Sequence, residues 1–186
     1  MVEPEGGPAL ATALSRRLAA LAFTDRTTEQ VTELLLDTIV GWGRSQGWRV
    51  YRRAASVMPL PPPMSGQHSV VDVACARVGA PPVVVEVDHT DRGRTVEKLL
   101  AEAGAGRVPV WVRWGVRGFT TPPEPVQMVT VTVTARRDAN SGIRLFTRTP
   151  QRQLAAPEHR TDPVTAAGPP PQLFGPDGAG DGGYRA

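Results

Sequence analysis

At 186 residues, 40% of them hydrophobic, and a formal charge of +3, the chain has room for one domain with a real core plus extensions. No apolar run approaches the roughly 20 residues of a spanning helix, which argues against a helical membrane protein. The single cysteine, Cys75, excludes an internal disulfide and lies in an apolar segment as a packing residue.

The opening MVEPEGG is acidic and glycine-rich, unlike the basic-then-apolar start of a secretory signal, so a cytoplasmic location is expected. From Ala9 to Phe23, Leu14, Leu18 and Leu21 recur at helical spacing with Arg16 and Arg17 opposite, which predicts a packing helix. The short turn TDRT follows. A second helix starts after Thr27, which can cap it with Gln30, and carries the stripe Val31, Leu34, Leu35, Ile39 and Trp42 before Gly47.

Beyond Gly47 the period changes to two. WRVYRRA (Trp48 to Ala54), SVVDVACAR (Ser69 to Arg77) and PVVVEVD (Pro82 to Asp88) read as strands, the last two joined by the tight turn VGAP. The prolines of SVMPLPPPMSGQH remove donors and fix φ, so no regular element is expected there. A helix from about Arg94 to Ala103 precedes a strand, Val108 to Trp114. A last strand, Val126 to Arg136, alternates Val with Thr as an edge strand would. From about Pro150 the chain is rich in Pro, Gly and charge, and a disordered tail is expected there, with Leu173 and Phe174 as its main apolar residues. The fold class is therefore α/β, with an N-terminal helical extension over residues 1–26, an α/β domain over 27–149 and a tail over 150–186.

Two features within this frame carry chemistry. Glu86 and Asp88 lie two apart near the end of an apolar strand, and Asp72 lies on the preceding strand, with Val70 and Ala74 expected on its own face. Strand residues two apart are separated by roughly 6.6 Å and paired strands by about 4.8 Å, so three carboxylates can converge on one small volume. Without a counter-charge they would repel and raise one another's pKa, and a divalent cation with oxygen ligands, Mg²⁺ or Mn²⁺, removes that conflict. The alternative is acids at an exposed strand end, paired with Arg92 or Arg94. The second feature is Lys98, the only lysine among 21 basic residues. Such arginine usage is typical of a GC-rich bacterial genome, and a surviving lysine suits chemistry that needs a compact ammonium.

The order of these elements, with Asp72 on one strand and EVD at Glu86, Val87 and Asp88 on the next, resembles the PD-(D/E)XK nuclease superfamily over roughly Thr28 to Trp114. The resemblance implies a restriction-endonuclease-like core and Mg²⁺-dependent (or Mn²⁺-dependent) hydrolysis of DNA, in defence, repair or mobile-element processing. It implies Asp72, Glu86 and Asp88 as metal ligands and Lys98 as the charge-stabilising residue. Val71 replaces the family's proline. Asp88 replaces its lysine, and Lys98 on the following helix would be that lysine migrated. Glu33, or else Glu29, stands where the first helix sometimes supplies a further acidic ligand. His68 and His89 flank the acids as candidate proton carriers, and Arg92, Arg94, Arg113 and Arg117 are candidate phosphate contacts. A homodimer and a protein partner held by the tail are compatible with the same reading. Two alternatives stand beside it: a catalytically inactive nuclease-like domain that binds nucleic acid or a partner, and an unrelated small α/β protein. Lys98 separates the first two by whether it points into the carboxylates.

Overall fold

The computed structural model describes residues 6–150, and the expected tail lies outside them. Its elements are α1 (Gly7–Ala19), β1 (Phe23–Arg26), α2 (Thr28–Ser45), β2 (Arg49–Pro59), β3 (His68–Arg77), β4 (Ala80–Asp88), α3 (Gly93–Gly104), β5 (Val108–Gly115), β6 (Gln127–Thr132), β7 (Thr134–Arg137) and β8 (Arg144–Arg148). The chain is a mixed α/β protein. Among the described residues no helix is long and apolar enough to cross a membrane.

The local signals that placed α2 are realised in full. Thr27 and Gln30 form a reciprocal capping box, with Gln30 N–H donating to Thr27 Oγ1 at 3.3 Å and Thr27 N–H to Gln30 Oε1 at 3.1 Å. Past its end, Gly47 adopts φ +75, a left-handed conformation that glycine takes without steric cost. Inside the helix, Gly43 serves a different need: a Cβ there would stand 2.8 Å from Val50 Cγ2 and 3.1 Å from Cys75 Sγ. Its absence lets α2 lie close on β2 and β3.

Five strands form the main sheet in the order β2-β3-β4-β5-β6. The first three are an antiparallel meander, while β4, β5 and β6 run parallel, so α3 is the crossover between β4 and β5. Helices cover both faces. Leu10, Leu14 and Leu18 of α1 and Val31, Leu35 and Ile39 of α2 share one core with Val73, Val85, Val112 and Val131. On the other face Leu99 of α3 packs with Val71, Val84, Trp111 and Val126. Each of these side chains contributes about 1.5–3 kcal/mol by leaving water. Because β4 is central and covered on both sides, it is buried without interruption from Val83 to Asp88. That continuity carries Glu86 and Asp88 into the interior along with the valines.

Four expectations change. The TDRT turn includes part of β1, which pairs with a strand that was not expected, β8, and a three-stranded sheet β1-β8-β7 results. Both strands are too short for a periodic signal, and buried Phe23 and Phe146 anchor them in the core. The Val/Thr run from Val126 is not one strand, because at Val133 the chain leaves the main sheet for the second one. The edge position foreseen for it holds for β6. Finally, β2 runs on through Ser56, Val57 and Met58 to Pro59, where no regular element was expected.

Glu102 accounts for that last extension. Its carboxylate, 0% exposed, accepts from Val57 N–H at 2.8 Å and from the Ser56 hydroxyl at 2.5 Å, supplying the acceptor the ladder lacks between Ala55 and Pro59. Arg107 balances the charge at 2.6 Å. Truncating one partner of a buried ion pair leaves the other uncompensated. Glu102→Ala is therefore expected to lower stability by about 3–5 kcal/mol, read as the shift in urea midpoint at unchanged slope. A loss within about 0.5 kcal/mol would contradict this role.

Candidate functional site

The ladder between β3 and β4 ends at Val73–Val85, although β4 continues against β5 to the pair Asp88–Arg113. Extending that register by one residue sets Asp72 opposite Glu86. Instead of a further backbone bond, the Asp72 carboxylate bridges the strands, its Oδ2 accepting from Val87 N–H at 2.8 Å.

A backbone irregularity lies at the same level. Arg53 adopts φ 52, costly for a residue with a Cβ, and it falls between the paired positions Arg52–Val73 and Ala54–Val71. The faces exchange there: Val71 and Ala74 pack on the α3 side, while Val73 and Cys75 pack on the other. The alternation expected through Val70, Asp72 and Ala74 is thus interrupted at Asp72.

Where β4 separates from β3, a cleft of about 460 Å³ opens. Asp72, Glu86 and Asp88 line it from the strands, His89, Arg92, Arg94, Thr95 and Lys98 from α3 and the loop before it, and Thr28 and Thr32 from α2. The location, outside the carboxyl end of a central strand, is a common ligand position in α/β sheets.

Lys98 enters this cleft. Its Nζ lies 2.7 Å from Glu86 Oε1 and donates to Val70 O at 2.6 Å, which fixes the ammonium between α3, β3 and β4. No other group among the described residues donates to Glu86 Oε1. Burial raises the Glu86 pKa to about 7, the nearby Asp72 charge adds to the rise, and Lys98 opposes both. Asp72 is also raised, first by burial and in part by Asp88, against the Val87 N–H and Lys98.

Asp88 is held differently. Its Oδ2 accepts from Trp111 Nε1 at 3.0 Å, and its Oδ1 is 3.7 Å from Arg92 Nε. The three carboxylates share a cleft and feel one another's charge, but among the described residues no three His, Cys, Asp or Glu side chains are arranged as a ready cation site. Trp111 occupies one Asp88 oxygen, so only Asp72 and Glu86 face the cleft without such a side-chain bond from the sheet.

Other expected participants are placed elsewhere. Glu33 forms a two-pronged pair with Arg52, at 2.9 Å for each contact, and does not line the cleft, where Thr32 stands instead. Glu29 accepts from the Thr27 hydroxyl at 2.9 Å. Arg113, expected to meet phosphate, is 3% exposed: it donates to Asp88 O at 3.0 Å and pairs with Asp91 at 2.6 Å. It braces the loop after β4 and has no free face for a ligand. Arg92 and Arg94 are exposed at the cleft mouth, and Arg117 is exposed outside its lining. His68 bonds to Ser56 O and does not line the cleft; His89 lines it with its ring stacked on Trp114 at 4.1 Å.

Trp111 and Arg113 escaped the sequence reading as partners of Asp88. The parallel register sets Trp111 beside Glu86 and Arg113 beside Asp88, so pairing VPVWVRW with VVVEVD would have found them.

Comparison with protein families, with curated proteins and with solved structures finds no match to this chain.

Glu86 gives the site a pH signature. A carboxyl whose folded pKa lies above its ordinary 4.5 binds protons more tightly when folded, so its contribution to stability is full below about 4.5 and lost as pH rises through about 7. Without metal, the protein is therefore expected to lose a few kcal/mol between about pH 5 and about pH 8. Glu86→Gln should flatten that slope in urea titrations. An equal slope in the variant would contradict the assignment.

Proposed function

We propose that this chain is a metal-dependent nuclease acting on DNA, with a divergent PD-(D/E)XK-like site whose lysine is carried by the helix. The observation that carries the reading is Lys98: the one lysine of the chain reaches Glu86 at 2.7 Å inside the cleft that Asp72 also lines. The order α2, meander β2 to β4, crossover α3 and parallel β5 supports it as a restriction-endonuclease-like arrangement.

Asp72 and Glu86 are the residues that fit a divalent cation. Both are oxygen donors with raised pKa, Glu86 buried and Asp72 half-buried, and a nearby positive charge relieves the cost of ionising them together. A hard ion such as Mg²⁺ or Mn²⁺ takes such ligands while keeping several waters. Once bound there, the ion would polarise the phosphoryl oxygen and lower the pKa of its water. Asp88 is assigned a positioning role, because Trp111 holds its Oδ2.

The chain's own residues supply the remaining functions. Lys98, anchored on Val70 O, presents a fixed ammonium where charge develops on the phosphoryl oxygens. Asp72 holds Val87 N–H and so fixes Glu86 at the end of β4. Arg92 and Arg94 meet the backbone phosphates on either side of the scissile bond.

The second reading, a nuclease-like domain that binds nucleic acid without cutting it, is favoured by the same contact seen otherwise: Lys98 already neutralises Glu86, and Trp111 occupies one Asp88 oxygen. Cleavage separates the two. Purified protein is expected to cut plasmid or linear DNA with Mg²⁺ or Mn²⁺ and not with EDTA. Asp72→Ala and Lys98→Ala should each reduce the rate by about 10²-fold or more. Lys98→Arg should not restore it, since a guanidinium lacks the compact geometry. Well-folded protein that binds DNA but cuts with no metal would assign the binding-only reading.

A further inference from the structure

Away from the cleft, and sharing no residue with it, a cavity of about 200 Å³ lies along the free edge of β6. Its lining is Ser15, Thr130, Thr132, Arg148 and Thr149: one guanidinium and four hydroxyls, with no carboxylate. None of these hydroxyls is engaged in a hydrogen bond within the described residues.

Arg148 is held in place by neutral groups alone. Its Nη1 donates to Thr132 O at 3.0 Å and its Nε to Leu21 O at 3.3 Å, which fixes the plane of the fork and leaves Nη2 unbonded. The buried arginine elsewhere, Arg113, takes Asp91, and partly buried Arg107 takes Glu102. Arg148 is partly buried and has no anionic partner among the described residues. Withdrawing a cation from water without one is unfavourable, and burial alone lowers its pKa with no acid to oppose it.

We propose that Arg148 with the hydroxyls of Ser15, Thr130, Thr132 and Thr149 forms a binding site for a phosphate-type oxyanion. A tetrahedral anion offers several acceptor oxygens for rotatable O–H donors, and the Nη2 that Arg148 leaves unbonded among the described residues adds charge-assisted N–H donors. A metal cation is excluded by the fixed positive charge, and an apolar ligand by the polar lining. The site stands independently of the nuclease reading.

The test is titration of the ¹⁵N-labelled full chain with inorganic phosphate at constant ionic strength, with chloride as control. Saturable shifts are expected at the amides of Ser15, Thr130, Thr132 and Thr149 with phosphate and not with chloride. Arg148→Gln should abolish them. Because Arg148 also ties Leu21 to Thr132, a second variant, Ser15→Ala/Thr149→Val, keeps those ties and should weaken binding roughly tenfold. Lys98→Ala should leave it unchanged. No saturable shift, or shifts that persist at full strength in both variants, would overturn the proposal. A short DNA duplex that displaces phosphate would identify the natural oxyanion as a nucleic-acid backbone; phosphate binding without displacement would identify a small phosphorylated ligand.

Discussion

The contact between Lys98 and Glu86 is the constraint on which the rest of the site depends. Glu86 is 5% exposed because β4 is the middle strand of a sheet covered on both faces, and a carboxylate so buried is costly unless a cation meets it. Lys98 of α3 does so, since that helix crosses over β4 on its way to β5. The crossover topology therefore brings the ammonium to the acid, and the carbonyl of Val70 keeps it there. Electrostatics remains unbalanced nonetheless: Asp72 and Asp88 share the cleft with Glu86, and Glu86 is pushed up to about 7. A carboxyl pushed up this far by burial first, with Asp72 and Asp88 adding to it, is a feature of functional sites more than of structural ion pairs.

The cleft owes its existence to a change in strand pairing. β3 and β4 separate after Val73–Val85, and Arg53, in a left-handed conformation one strand away, marks the same level. Asp72 spans the gap with a side-chain acceptor where a backbone acceptor would otherwise stand. On the far side Trp111 and Arg113 of β5 hold Asp88 and the loop that follows it. The floor is thus rigid while the mouth, with Arg92 and Arg94, is open to solvent.

Much of this was legible in the chain because the signals were local. The Thr27–Gln30 box, the left-handed Gly47 and the VGAP turn each act within a few residues, so α2 and the β3–β4 hairpin could be read directly. Asp72, Glu86 and Lys98 could be grouped because hairpin pairing and helix crossover follow general rules. What could not be read depended on contacts distant in sequence. β1 and β8 are stabilised by each other across the chain, the end of β2 by Glu102, and the orientation of Asp88 by Trp111. Arg113 looked like a surface arginine because nothing nearby in sequence reveals that Asp91 and Asp88 O enclose it.

The proposed site has Asp72 and Glu86 together holding a divalent ion beside Lys98. Its most direct test is a crystal of the full chain soaked in Mn²⁺ near neutral pH, read by anomalous scattering. An anomalous peak shared by the Asp72 and Glu86 carboxylates is expected, with Lys98 Nζ displaced from its 2.7 Å contact. A map with no peak in the cleft and Lys98 still paired to Glu86 would contradict it.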